Sequence, residues 1–348
     1  MFARVLVVAV LAAMVGCGDD TPPTQPPLPI VHGLLGADAP YDITSDGKLI
    51  VYRHQASVEG VQGVYSLDLG TGGGPLLVMP DSASYLATQC RFSPDGMRLI
   101  YLRNFSDLYI LDLTTNEQTQ VTFTSGNASS PDWDPSGRYI VYERPFRPFG
   151  VPESLAGLRI LDTVTLDDYS LRHNSEPTFG SNPRWSPDSL RITFDVIGPW
   201  NGVPGSPTRF HIFSVSLVDT EYADLTPNDL RNNEFPIWLD STRILFESYD
   251  EQTFNIHRSQ VINRDGTGRS DWIIDLRPYL GFMAAAPTKN LFVYPGPDSA
   301  QKYAVLLLRD MTDVAGSTIR QLTTFTPLSP SAHTSSVAVS PASLRRRL

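Results

Sequence analysis

Six times along the 348-residue chain, a short apolar segment runs into a tight turn rich in Ser, Pro, Asp and Gly. A basic residue then leads into an apolar run closed by an aromatic. The copies run from Ile43 to Tyr52, Phe92 to Tyr101, Trp133 to Tyr142, Trp185 to Phe194, Trp238 to Phe246 and, most degraded, Ala286 to Tyr294. Their closing aromatics fall 49, 41, 52, 52 and 48 residues apart. A period of this length, with four short strand candidates in each unit, is the pattern of an all-β chain folded as a β-propeller of four-stranded antiparallel blades.

The turn chemistry explains the first two strands of each unit. In Ser93-Pro94-Asp95-Gly96 the proline fits a φ near −65° and the glycine accepts a positive φ at little cost, so the chain reverses into a hairpin. Candidate turn-forming residues are Asp46 and Gly47, Pro94, Asp95 and Gly96, Pro135 and Gly137, Pro187 and Asp188, and Asp240. The acids Asp46, Asp95, Asp134, Asp188 and Asp240 read as matching positions whose carboxylates accept local backbone N–H groups. A carboxylate ring that binds a cation or a basic partner is the sharper reading of the same residues.

Third strands are expected at Val64 to Leu69, Leu108 to Leu113, Leu158 to Leu161, Phe210 to Phe213 and Tyr303 to Leu307, and outer fourth strands at Gln120 to Thr122, Asp224 to Thr226 and Gln321 to Thr323. A lone sheet of this kind cannot bury both faces, so neighbouring units must pack around an axis. Six hairpins give six blades. Seven is the alternative, because Ser336 to Pro341 resembles the start of another copy, and a strand from Pro29 to Leu35 could then complete the last sheet.

The Phe/Trp-Ser-Pro-Asp-Gly hairpins and the Gln-Leu-Thr ends resemble the repeat of TolB-type propellers, WD40-like modules of bacterial envelopes. The resemblance covers roughly residues 35 to 326 and is strongest at Phe92 to Tyr101 and Trp185 to Phe194. The unit at Trp238 lacks the proline, and the unit at Ala286 lacks both the aromatic and the Asp-Gly. No N-terminal α/β domain like that of TolB itself precedes the repeats, so the likeness is to the propeller module.

Residues 1–17 read as an export signal. Arg4 precedes twelve apolar residues, Val5 to Gly16, too few for the roughly 20 that a spanning helix requires. Met14-Val-Gly-Cys17 resembles a bacterial lipobox, which implies lipidation of Cys17 and anchoring to the envelope. Gly18 lacks the acid that retains such proteins at the inner membrane in the enterobacterial rule, which favours the outer membrane facing the periplasm. Residues 18–30 are charged and proline-rich and read as a tether, with the propeller in residues 31–348.

A formal charge of −10, with basic residues scattered, argues against nucleic acid. With Cys17 lipidated, Cys90 has no partner and reads as a small buried apolar side chain. No Gly-x-Ser-x-Gly, His-Glu-x-x-His or Cys-x-x-Cys pattern occurs, and Gly70 to Gly74 reads as a loop between strands. The histidines His32, His54, His173, His211, His257 and His333 show no metal-ligand spacing. Trp133, Trp185 and Trp238 precede successive turns and read as packing residues, whereas Trp200, in a turn-rich insertion, is a candidate contact residue.

These features describe a non-enzymatic binding or scaffolding lipoprotein, monomeric and without cofactor or metal, that meets other envelope proteins or a small ligand at a propeller rim. The alternative is a sugar- or peptide-degrading enzyme resembling oligogalacturonate lyase, with its site in the channel.

Overall fold

The computed structural model describes residues 36–56, 61–123, 128–144, 157–173, 176–177, 179–199, 207–219, 221–250, 258–274, 283–297, 303–310 and 319–323. All belong to one compact unit, Gly33–Leu348. The expected signal segment, the tether, Trp200, the partial copy at Ser336 to Pro341, and His32, His257 and His333 lie outside the described residues. No helix among the described residues is long and apolar enough to cross a membrane.

Each sequence repeat folds into consecutive antiparallel strands. The first repeat gives β1 (Gly36–Ile43), β2 (Leu49–Ala56), β3 (Gly63–Asp68) and β4 (Leu76–Pro80). The second gives β5 (Ala87–Phe92), β6 (Arg98–Arg103), β7 (Asp107–Asp112) and β8 (Gln118–Gln120). The third gives β9 (Ser129–Trp133), β10 (Tyr139–Arg144), β11 (Gly157–Asp162) and β12 (Asp168–Ser170). A two-stranded ribbon, β13 (Arg172–His173) with β14 (Glu176–Pro177), then precedes the fourth repeat.

The fourth repeat comprises β15 (Ser181–Trp185), β16 (Arg191–Pro199), β17 (Thr208–Ser216) and β18 (Tyr222–Asp224). The fifth comprises β19 (Asn232–Trp238), β20 (Arg243–Tyr249), β21 (Arg258–Asn263) and β22 (Ser270–Ile274). The sixth comprises β23 (Ala284–Ala286), β24 (Leu291–Pro297), β25 (Tyr303–Asp310) and β26 (Arg320–Gln321). Repeats two to five are separate four-stranded sheets. The first and sixth are joined into one eight-stranded sheet by parallel pairing of Gly36 with Tyr303 and Ala37 with Ala304.

The hairpin turns form as their residues dictate. Thr44, Ser93 and Asp134 each accept the N–H of a glycine three residues on, at 2.8, 2.8 and 2.9 Å, and those glycines, Gly47, Gly96 and Gly137, have φ of +73°, +72° and +71°. In the fourth repeat Ser189 takes the same role at φ +60°.

Apolar layers then bind neighbouring repeats. Tyr101 packs with Val51 and Val64 of the first repeat, Tyr142 with Ile100 and Leu108 of the second, and Phe194 with Val141 and Leu158 of the third. Phe246 packs with Ile212 and Leu225, and Phe292 with Leu245. The ring closes where Ile50 and Tyr52 meet Val293 and Leu306. Complete burial of such an aromatic contributes about 1.5–3 kcal/mol, so each layer holds its neighbours more firmly than the short strands could alone.

Two features refine the sequence expectations. The third strand of the fifth repeat, β21, is not among the apolar runs singled out, because Arg258-Ser-Gln-Val-Ile-Asn263 carries only two apolar residues. The expected fourth strands each end two residues early, and Thr122, Thr226 and Thr323 lie just past them, nearly inaccessible. Their hydroxyls accept the backbone N–H of Leu108, Ile212 and Leu306 at 2.9, 3.0 and 2.9 Å. The recurrent threonine therefore satisfies a third-strand donor just beyond the end of the fourth strand.

Candidate functional site: the channel mouth

The first strand of every repeat lines the axis, and one position in it determines the chemistry of the channel. The residue just before the end of that strand is Asp42, Arg91, Asp132, Arg184, Ile237 and Ala285 in chain order. All six line a cavity of about 790 Å³ that opens among the hairpin turns. Four consecutive repeats thus present acid, base, acid, base, and the other two present apolar side chains.

The alternation has a structural cause. Asp42 Oδ2 accepts the backbone N–H of Phe92 at 2.8 Å, and Asp132 Oδ2 accepts that of Trp185 at 2.8 Å, each across a repeat boundary. Where the position is an arginine, its backbone carbonyl is the acceptor instead. Trp133 Nε1 donates to Arg91 O at 3.3 Å and Trp238 Nε1 to Arg184 O at 3.4 Å. The second to fourth repeats are stitched to their neighbours by whichever group the position supplies.

Burial governs the electrostatics. Removal from water pushes Asp132 up to about 6 against the opposing pull of Arg184 and Arg91, and it raises Asp42 likewise. Burial and the nearby Arg91 cation bring Arg184 down to about 10. The guanidinium ion pairs are long, with Arg91 Nη1 4.0 Å from Asp42 Oδ1 and Arg184 Nη1 3.7 Å from Asp132 Oδ1.

Three residues before the strand-ending aromatic, the chain bulges. Gln89, Ser130, Asn182 and Phe235 all have φ between +51° and +57°, each where the ladder slips register. For a side-chain-bearing residue this conformation is uncommon, and neighbours fix it. Ser130 N donates to Gln89 Oε1 at 2.7 Å, and Phe235 N donates to Asp195 Oδ2 at 3.0 Å. Asp195, only 1% exposed, is pushed up to about 8 by burial, with Glu234 and Glu143 adding to the rise.

The turn residues noted in the sequence divide in two. Pro187, Asp188 and Asp240 reach the cavity, whereas Asp46, Gly47, Pro94, Asp95, Gly96, Pro135 and Gly137 shape turns outside it. The carboxylates of Asp46, Asp95 and Asp188 accept the N–H two residues on, at 3.1, 2.9 and 3.1 Å, and Asp240 does so at 2.8 Å. Asp134 is displaced from the others, at the position of Thr44, Ser93 and Ser186, and accepts the N–H groups of Ser136, Arg138 and Tyr139. Trp133, Trp185 and Trp238 form part of both the wall and the layers between repeats. Cys90 is fully buried, and Gly70 to Gly74 joins β3 to β4.

His54 and His211 lie away from the lining, each beside a carboxylate of its own sheet, Asp38 at 2.7 Å and Asp224 at 3.1 Å. Among the described residues no three His, Cys, Asp or Glu side chains stand together as a metal site. The sequence reading missed Asp42, Arg91, Asp132 and Arg184. The signal was an alternation of charge in an otherwise buried strand, visible only when the repeats are aligned on their aromatics.

No family model matches the chain. The uncharacterized protein Atu1656 of Agrobacterium fabrum is 28% identical over 159 residues, 44% of this chain, and the match spans about half of that protein's length, 49%. TolB from Agrobacterium tumefaciens is similar in structure with a TM-score of 0.50 at 21% identity, over 67% of this chain and 79% of that one. The fold is a TolB-like β-propeller.

The TolB-like arrangement extends to two further proteins. An oligogalacturonate lyase in complex with manganese gives 0.54 at 18% identity, over 80% and 75% of the two chains. The propeller domain of the Trilobed protease from Pyrococcus furiosus, described as having an open velcro topology, gives 0.52 at 15%, over 84% and 99%. At these identities the likeness is one of fold.

Proposed function

We propose that this chain is a lipid-anchored protein of the bacterial envelope whose propeller binds a partner at its channel mouth without transforming it. Counting the eight-stranded sheet as two blades joined edge to edge gives the ring six blades. The export segment ending at Cys17 and the proline-rich run that follows support a tethered location on the outer membrane, facing the periplasm. The observation that carries the binding reading is the cavity of about 790 Å³, within the range of ligand sites, framed by turns and walled by three tryptophans, apolar side chains and seven charged residues.

The rival reading is a sugar- or peptide-degrading enzyme in the channel. The likeness to oligogalacturonate lyase favours it, but among the described residues the cavity lining includes no histidine. Photo-crosslinking in intact cells tests the proposal. A crosslinking residue at Ser241 or Thr288 on the rim is expected to capture one shared partner, and one at Phe105, in the β6–β7 turn at the opposite end of the strands, is not. Capture at Phe105 with none at the rim would overturn it.

A further inference from the structure

Arg91 and Arg184 stand on non-adjacent strands of the channel wall, with side chains only 19% and 17% exposed. Each guanidinium carries five N–H donors. Among the described residues, Arg184 has a 3.4 Å contact to the Pro183 carbonyl and its 3.7 Å ion pair with Asp132. Arg91 has the Tyr41 carbonyl and its 4.0 Å ion pair with Asp42. Neither ion pair is a hydrogen bond. Each carboxylate holds the backbone N–H of the next repeat with its other oxygen, Oδ2.

Two cations largely removed from water, with Arg91 close enough to lower Arg184, therefore keep most of their donors for something that enters the cavity. The matching positions of the fifth and sixth repeats are Ile237 and Ala285, with Met283 beside them, so this arc of the wall is apolar, while Asp188, Asp240 and Arg243 line the cavity from the turns. Planar guanidinium forks match the oxygens of a carboxylate, and charge-assisted hydrogen bonds in such a site are strong.

Resting on the reading of the mouth as a binding surface, we infer that Arg91 and Arg184 form an oxyanion site. It takes the carboxylate of a ligand whose apolar body lies against Ile237, Met283 and Ala285. The two arginines supply the charge and the forks, the aspartates hold the strands that carry them, and the apolar arc selects against small inorganic anions.

Titration calorimetry of the soluble propeller, residues 31–348, with N-acetylleucine, N-acetylleucinamide and inorganic phosphate tests this. N-acetylleucine is expected to bind saturably, the amide at least about tenfold more weakly, and phosphate more weakly than N-acetylleucine while competing with it. Arg184→Gln and Arg91→Gln are expected to weaken N-acetylleucine binding by about tenfold or more. Should either variant fail to fold, protection of the wild-type arginines from phenylglyoxal by N-acetylleucine, and not by the amide, reads the same contact.

Equal binding of acid and amide, no saturation by N-acetylleucine at millimolar concentration, or unchanged affinity in folded arginine variants would overturn the inference. If rim crosslinking persists in Arg184→Gln while the acid and amide bind alike, the oxyanion site fails and the binding role stands. If the acid binds selectively and rim crosslinking is absent, the binding role toward a protein partner fails instead.

Discussion

Asp132 on β9 accepts the backbone N–H of Trp185 on β15 at 2.8 Å, joining the third repeat to the fourth through a carboxylate that burial pushes up to about 6. The relationship of Asp42 to Phe92 is the same one, two repeat boundaries earlier. Asp132→Ala leaves that buried N–H without its acceptor and is expected to cost about 1–3 kcal/mol. Asp132→Asn keeps an oxygen in place and is expected to cost less. Urea unfolding midpoints of the two variants compare them directly.

Asp195 gives the protein an unusual dependence on pH. Its folded-state value is pushed up to about 8, above the ~3.9 of an unfolded chain, by burial first and by Glu234 and Glu143. Asn182 and the Phe235 N–H favour the charged form but do not offset this. A raised acid contributes stability that is complete below its unfolded value and is lost as pH rises through its folded one. The turn acids, Asp46, Asp95 and Asp240, are held low and stay ionised across this window. The melting temperature is thus expected to fall between pH 5 and about 8.5, and Asp195→Asn to flatten that decline.

Gly96 holds φ at +72°, and an added Cβ would meet the Thr44 methyl at 3.3 Å. Gly96→Val is expected to destabilise by more than about 1 kcal/mol, because a β-branched residue tolerates this conformation poorly. Gly96→Asn is expected to cost less, since asparagine enters the left-handed region more readily. Thermal unfolding distinguishes the two.

Thr226 makes a similar point about the recurrent threonine. Thr226→Val preserves shape but removes the acceptor for the buried Ile212 N–H, and a loss of about 1–3 kcal/mol is expected. Thr119→Val, on the exposed outer strand β8, is expected to stay within about 0.5 kcal/mol. Equal effects from both would remove the capping role.

The ring was legible in the sequence because its determinants are local. Ser93-Pro-Asp-Gly96 reverses the chain by itself, and the apolar runs ending at Tyr101 or Phe194 announce two-sided burial. β21 was not legible, since its partners β20 and β22 fix its place more than its own two apolar residues do. The charged floor was hidden for a different reason. Arg91 and Arg184 are 93 residues apart in the sequence, and only the folding of the repeats brings them near each other. The bulges at Gln89, Ser130, Asn182 and Phe235 were also out of reach, because their positive φ is imposed by neighbours such as Asp195 and not by a glycine.

The account depends on the first and sixth repeats meeting to complete the ring, through the register that sets Ala37 beside Ala304. Neighbouring strands lie about 4.8 Å apart, within the span a disulfide bridges. Replacing both residues, Ala37→Cys with Ala304→Cys, and comparing mobility with and without reductant tests this closure. A fast-migrating cross-linked monomer that returns to normal mobility on reduction is the expected result. A double variant that folds, binds as the wild type does and never cross-links under oxidant would contradict the closed ring.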